Sequence, residues 1–269
     1  MRIIDAHFHM FGTSPFADEM AREVGHENSA EHLREYYRNH GIVHGVIMSN
    51  HSLLPEDHDY PDDLFHYCIG LDVHSREDSR DVPGLVESNL KRENCCGLKL
   101  YPGYDPIWLY DPVLEPLYSL AARYDKPVAI HMGMTANIHA KLKYSHPLVL
   151  DEVAADHPRN RFVMCHFGNP FLQEAAAVLE KNSNVAADLS GLLEGIEDLP
   201  VYFEEQAGYI QQLRTWITYV RDDSRFMFGT DWPAVNIGNY IDFISRLMPD
   251  RSLDKVFFEN ANRIYGLGL

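Results

Sequence analysis

The chain has 269 residues, 45% of them apolar and 23% charged, with a formal net charge of −17. Such a length fits one large domain or two small ones, and the composition is ordinary for a globular protein. The strong negative charge argues against nucleic acid and anionic membrane surfaces as partners; a small anionic substrate stays open if a metal or local cations reverse the field inside a pocket.

No uncharged apolar run reaches 18 residues, and the N-terminus lacks a basic segment followed by an apolar stretch, so neither a membrane span nor a secretory signal is expected, and the expected location is the cytoplasm. Cys68, Cys95, Cys96 and Cys165 form no C-x-x-C pair. They read as reduced thiols rather than a disulfide framework, with Cys165 in the core.

Eight short apolar runs follow one another along the chain. Strands are expected near 2–9 (RIIDAHFH), 43–49 (VHGVIMS), 64–73 (LFHYCIGLDV), 95–101 (CCGLKLY), 127–132 (PVAIHM), 162–167 (FVMCHF), 185–190 (VAADLS) and 226–231 (FMFGTD). Most are nearly continuous in apolar residues, as strands covered on both faces are. Helices are expected between them. Residues 111–124 open with Asp111 as N-cap and Pro112 at the first helical position. Residues 169–182 repeat the device with Asn169 and Pro170. Residues 209–220 carry an apolar stripe, and a helix over 252–267 closes the chain.

Strands alternating with helices imply an α/β fold with a parallel sheet and right-handed crossovers. Eight units in this length match a (β/α)8 TIM barrel, typically ~250 residues. The rival, a doubly wound open sheet, lacks support because no G-x-G-x-x-G follows the first strand. Without repeat, low-complexity tract or linker, residues 1–269 read as a single domain. Segments 10–28, 50–63 and 191–207 are longer than a connection needs. On a barrel they are candidate lids and substrate walls, with plain surface decoration equally open.

The chemistry gathers where strands stop. Strict alternation puts Ile3, Asp5, His7 and His9 on one face of the first strand, so H-x-H aims two imidazoles at one point. In a chain with 15 histidines such a pair also arises by chance. The other strand ends supply Asn50 and His51, Lys99, His131, His166, Asp188 with Ser190, and Asp231. Burying such groups is costly unless something compensates them, and a cation compensates several at once. His7, His9, His131 and Asp231 would give four N/O ligands with room left for water.

The set DAHFH, GLKLYP, AIHMG, CHFG and FGTDWP, with the closing ENANRIYGL, resembles the amidohydrolase superfamily, and most of all the branch related to aminocarboxymuconate-semialdehyde decarboxylase. The likeness runs from the first strand to the last helix. It implies a mononuclear site with His7, His9, His131 and Asp231 as metal ligands and His166 beside the metal as acid, base or electrophilic aid. KLYP around Lys99 is also similar to the strand-4 motif of dihydroorotases, whose lysine is carboxylated and bridges two metals. Lys99 is therefore read as an unmodified cation for a substrate carboxylate, with the bridging form and a structural lysine paired with a neighbouring acid both open. Under the bridging scheme His131 and His166 hold a second metal.

The expected activity is metal-dependent hydrolysis of a C–N or C–O bond (amide, lactam, lactone or ester) in a small molecule by metal-activated water. Asp231 and His166 are the expected catalytic residues, and Lys99 and Tyr101 the expected substrate-binding ones. The alternative is non-oxidative decarboxylation of a small aromatic or enol-type acid. A barrel that binds without turnover is a third reading, and it would be favoured by loss of His9 or Asp231, both of which are present. The expected cofactor is one divalent metal per chain, two if Lys99 is carboxylated. Zinc is the first choice, and manganese and iron tolerate the same ligands. The expected partner is a small molecule, with a carboxylate and a homo-oligomer both open. Trp108 and Trp232 would line either a pocket or an interface.

Overall fold

A computed structural model describes residues 1–10, 12, 14–50, 52–71 and 81–269. Eight strands lie in one sheet in chain order, and each pairs in parallel with the next. They are β1 (Ile3–Phe8), β2 (Ile42–Met48), β3 (Phe65–Leu71), β4 (Cys95–Leu100), β5 (Val128–Ile130), β6 (Phe162–Met164), β7 (Val185–Asp188) and β8 (Phe226–Met227). Just past β8 the chain returns to β1. Ala6 N–H donates to Phe228 O (3.0 Å), Asp231 N–H to His7 O (2.8 Å) and His9 N–H to Trp232 O (2.9 Å). These bonds close the sheet into the expected TIM barrel. His51 and the expected continuation of β3 beyond residue 71 lie outside the described residues.

Alternation along the short strands sorts the side chains into two layers. Val128, Ile130, Phe162, Met164, Val185 and Phe226 pack outward under the helices. Ala129, Val163, Ala186 and Met227 point into the barrel with Ile4, Val46 and Cys96. The chain's last helical residues, Ala261, Ile264 and Tyr265, pack onto this inner layer. One step further along the strands the inward residues turn polar: Lys99, His131, Cys165 and Asp188, all buried.

Two sequence expectations are corrected. β1 does not alternate strictly: three steps from Asp5 to Phe8 oppose only two on β2, from Gly45 to Ile47. This bulge lets Ala6 and His7 both face inward and turns Asp5 out toward Tyr37, whose hydroxyl donates to it at 3.0 Å. Asn169 does not cap a helix: that helix starts at Leu172, because Cys165–Gly168 form a tight turn with His166 and Phe167 at positive φ. Asp111 does accept from Val113 N–H (3.0 Å), though the first turn there is 3-10 and the α-helix spans Glu115–Arg123. The closing segment is likewise divided, with a 3-10 turn at Asp250–Ser252, a π-turn at Lys255–Glu259 and an α-helix at Asn260–Tyr265. Among the described residues no helix is long and apolar enough to cross a membrane.

Candidate active site

Three acceptor atoms meet at the C-terminal mouth of the barrel. His7 Nε2 and His9 Nε2 each stand 3.3 Å from Asp231 Oδ1. The far side of each imidazole fixes its tautomer. His7 Nδ1 lies 2.9 Å from Asp188 Oδ2, and His9 Nδ1 lies 2.8 Å from Met48 O. A carboxylate and a carbonyl only accept, so both Nδ1 atoms carry the proton and both Nε2 lone pairs turn toward Asp231. Among the described residues His7 Nε2 and Asp231 Oδ1 are buried without a hydrogen-bond partner. Such a triad is repulsive unless a cation sits in it, and two imidazoles with a carboxylate are a donor set that divalent metals accept. The residues fit a metal.

The surroundings keep the charges as a metal requires. Burial pushes the His7 imidazole down to about 4, against the pull of Asp188. Burial would raise the Asp231 carboxyl, but His166, His9 and His7 together hold it well below the usual carboxylate range. Burial opposes ionisation of Asp188 in the same way, and His7, His166 and Lys99 overcome it. Asp188 also accepts from His166 N–H (2.9 Å), Ser190 N–H (3.2 Å) and the Ser190 hydroxyl (2.5 Å). It therefore ties β7 to the turn after β6.

Asp231 and His166 both take positive φ, the left-handed region that only a few per cent of side-chain-bearing residues adopt. Between them Gly191, at φ +60°, leaves room: a Cβ there would stand 2.9 Å from His166 Nδ1.

His166 and His131 form a second pair, with Nε2 and Nδ1 3.1 Å apart. His131 Nε2 lies 2.9 Å from Met134 O. Burial holds both imidazoles below their ordinary range. His131 thus stands in the same cavity as Asp231 but outside the tight cluster of His7, His9 and Asp231. Lys99 differs more from its expectation. It is fully buried, it does not line the cavity, and its ammonium donates to Cys165 Sγ at 2.9 Å. Its charge helps to hold Asp188 ionised, which is the role of a structural lysine near an acid. Tyr101 spends its hydroxyl on Ser49 O (2.9 Å) and Met48 O (3.2 Å), and lines the cavity.

The cavity holds about 270 Å³ and is lined by His9, Asn50, Tyr101, Tyr104, His131, His166 and Asp231. Sequence reasoning gave no role to Asn50 and passed over Tyr104, because nothing in a loop's composition says which of its residues folds back over the mouth. Trp232 is buried outside this lining, and Trp108 packs against Tyr110 and Tyr144. A larger hollow at Glu115, Arg123 and His157 contains none of these residues.

Solved structures place the same fold across known proteins. An uncharacterised TIM-barrel protein from Bordetella bronchiseptica aligns with TM-score 0.74 and 21% identity over 99% of each chain. 2,6-Dihydroxybenzoate decarboxylase from Rhizobium aligns with TM-score 0.69 and 15% identity over 100% of each chain. A putative 2-pyrone-4,6-dicarboxylic acid hydrolase from Pseudomonas putida aligns with TM-score 0.65 and 20% identity over 100% of this chain and 98% of that one. No curated protein matches. A family model described as Amidohydrolase (Amidohydro_2) matches residues 4–267, and the chain therefore belongs to this family of metal-dependent enzymes, which holds both hydrolases and decarboxylases.

Proposed function

We propose that the protein is a metal-dependent hydrolase acting on a C–N or C–O bond of a small amide, lactam, lactone or ester. The convergence of His7 Nε2, His9 Nε2 and Asp231 Oδ1, with no proton between them, supports this reading best. These residues would hold a divalent ion, zinc by preference, which when bound would supply Lewis acidity and lower the pKa of water to about 7. Asp231, kept ionised by the imidazoles around it, takes the proton of the attacking water. His166, which lines the cavity, delivers a proton to the leaving group. Asp188 and Met48 O hold His7 and His9 in the tautomer that turns the Nε2 lone pairs toward Asp231. His131, whose Nδ1 faces His166 Nε2 in the same cavity, would be a further ligand. Lys99 acts from below the floor as an unmodified cation, and one metal is held per chain.

The second reading is decarboxylation of a small aromatic acid. The flat walls of Tyr101 and Tyr104 around a small cavity favour it. In it His166 gives its proton to the ring carbon as the bond from that carbon to the carboxylate breaks and CO2 leaves. Both readings describe one domain working in the cytoplasm on a small molecule.

The test is a screen of zinc-loaded enzyme against lactones, esters, amides and hydroxybenzoates, read in parallel for hydrolysis and for CO2. Hydrolysis without CO2 from protein holding about one zinc per chain is the expected result. CO2 release from a hydroxybenzoate establishes the second reading in its place. Close to two metals per chain points to a carboxylated, bridging Lys99. Protein that holds no metal and turns over nothing overturns both readings.

A further inference from the structure

The cavity lining divides by chemistry. The proposed function commits His9, His131, His166 and Asp231 to the ion and the protons. Asn50, Tyr101 and Tyr104 have no part in that chemistry. The Tyr101 hydroxyl is bonded to backbone carbonyls, which leaves its ring as a wall.

Tyr104 differs. Its hydroxyl accepts the Ala136 N–H at 2.8 Å, which fills a lone pair and leaves the hydroxyl proton to be donated elsewhere. Its ring stands edge-on to His131, centroids 4.9 Å apart at 72°, so the phenol is held by a ring contact on one side and a loop amide on the other. The Asn50 side chain is half-buried against the same space, and among the described residues its amide makes no hydrogen bond. A half-buried amide at a cavity wall loses water when the cavity fills, so it favours a ligand that replaces those bonds.

We propose that Tyr104 and Asn50 recognise the substrate, each donating a hydrogen bond to an acceptor oxygen of the molecule bound in the cavity. The volume of about 270 Å³, with two tyrosines in its lining, fits one flat ring. The substrate class is then a single planar ring that carries acceptor oxygens for these two donors besides the group that reacts. This rests on the proposed metal-dependent function and adds the residues that select its substrate.

The test uses zinc-loaded enzyme and three probes: 2-hydroxybenzoate, 2-pyrone-6-carboxylate and the non-planar cyclohexanecarboxylate. Binding is measured by calorimetry and zinc by elemental analysis on the same samples. Wild type is expected to bind a planar probe and to prefer it over the non-planar one. Tyr104→Phe and Asn50→Ala are each expected to weaken that binding about tenfold while zinc content stays at the wild-type level. Asn50→Ala leaves the Tyr104–Ala136 bond in place, so it separates lost recognition from a loosened loop. Unchanged affinity in both variants, or no planar probe bound by wild type, overturns the proposal. If wild type holds no zinc, the metal reading falls, and the same comparison on metal-free protein still decides the roles of Tyr104 and Asn50.

Discussion

Two histidine clusters in this chain look alike on paper and differ in kind. At the barrel mouth His7 and His9 present lone pairs to Asp231 Oδ1, an acceptor facing acceptors. On the flank, His26 Nδ1 lies 2.8 Å from His32 Nε2, while His26 Nε2 accepts the Ile237 N–H at 3.1 Å. There the accounts close: His26 accepts at one nitrogen and so carries its proton at the other, which it donates to His32. The difference teaches that a cluster of imidazoles is not in itself a metal site. What distinguishes the mouth is that its partners, Asp188 and Met48 O, use up the protons and leave only acceptors facing inward.

The most direct way to break that contrast is to change Asp231. Asp231→Asn is expected to lower turnover by about a thousandfold, since it removes both a proposed ligand and the proposed base. Zinc at a hundredfold excess over its Kd is expected to stabilise wild type by about 2.7 kcal/mol. That gain should vanish in Asp231→Asn. His26→Gln should lower the melting temperature equally with and without zinc. A zinc-dependent loss in the His26 variant would show that the flank also binds metal, and the contrast would fail.

The barrel was legible because buried parallel strands are short apolar runs, and these eight stand clear of the helices between them. The strand-end polar residues were legible for the same reason, as breaks in those runs. The bulge in β1 was not. It is held by Asp5, which accepts from Thr230 N–H (2.9 Å), and Thr230 lies 225 residues away. Lys99 shows a second limit. Alternation correctly turns it inward, but depth along the barrel axis has no sequence signal, and the side chain lies beneath the cavity on Cys165 rather than in it. Asp188 and Ser190 were visible as strand-end residues, yet their work of fixing His7 and the turn at His166 needs coordinates.

Acid should sharpen the contrast from the flank side. Burial, with the charge of a neighbouring histidine, lowers His26 and His44 from an ordinary 6.5 to about 4. Both are neutral in the folded chain while the unfolded chain takes up protons below 6.5. Their stabilisation is therefore whole above 6.5 and is lost as pH falls toward 4, by at most about 3 kcal/mol each. Asp5 runs the other way. Burial raises it to about 7 against its hydrogen bonds, so its contribution is greatest below 4 and declines as pH rises to 7. Metal-free protein followed by urea denaturation should lose stability between pH 6.5 and 4, and His44→Gln should flatten that slope. An unchanged slope in the variant would rule His44 out as a source.

Asp5 also carries the smallest and most selective effect. Its Oδ1 receives Thr230 N–H at 2.9 Å and His7 N–H at 3.4 Å, and its Oδ2 receives the hydroxyls of Thr230 (2.7 Å) and Tyr37 (3.0 Å). The residues next along, His7 on one side and Asp231 after Thr230 on the other, are two members of the proposed ligand triad. Asp5 thus sets their relative position without touching the ion. Asp5→Ala removes the carboxylate that ties Thr230 to His7 and Tyr37, leaving Thr230 N–H only its bond to His7 O (3.1 Å), and should weaken zinc binding by about tenfold or more, as loss of a supporting partner does at metal sites. Asp5→Asn keeps a carbonyl for those N–H groups, and its amide faces two hydroxyls that can rotate to accept. Zinc affinity in that variant, measured by chelator competition, should return close to wild type. If Asn binds zinc as poorly as Ala, the charge of Asp5 matters rather than its geometry, and its role in placing His7 against Asp231 is disproved.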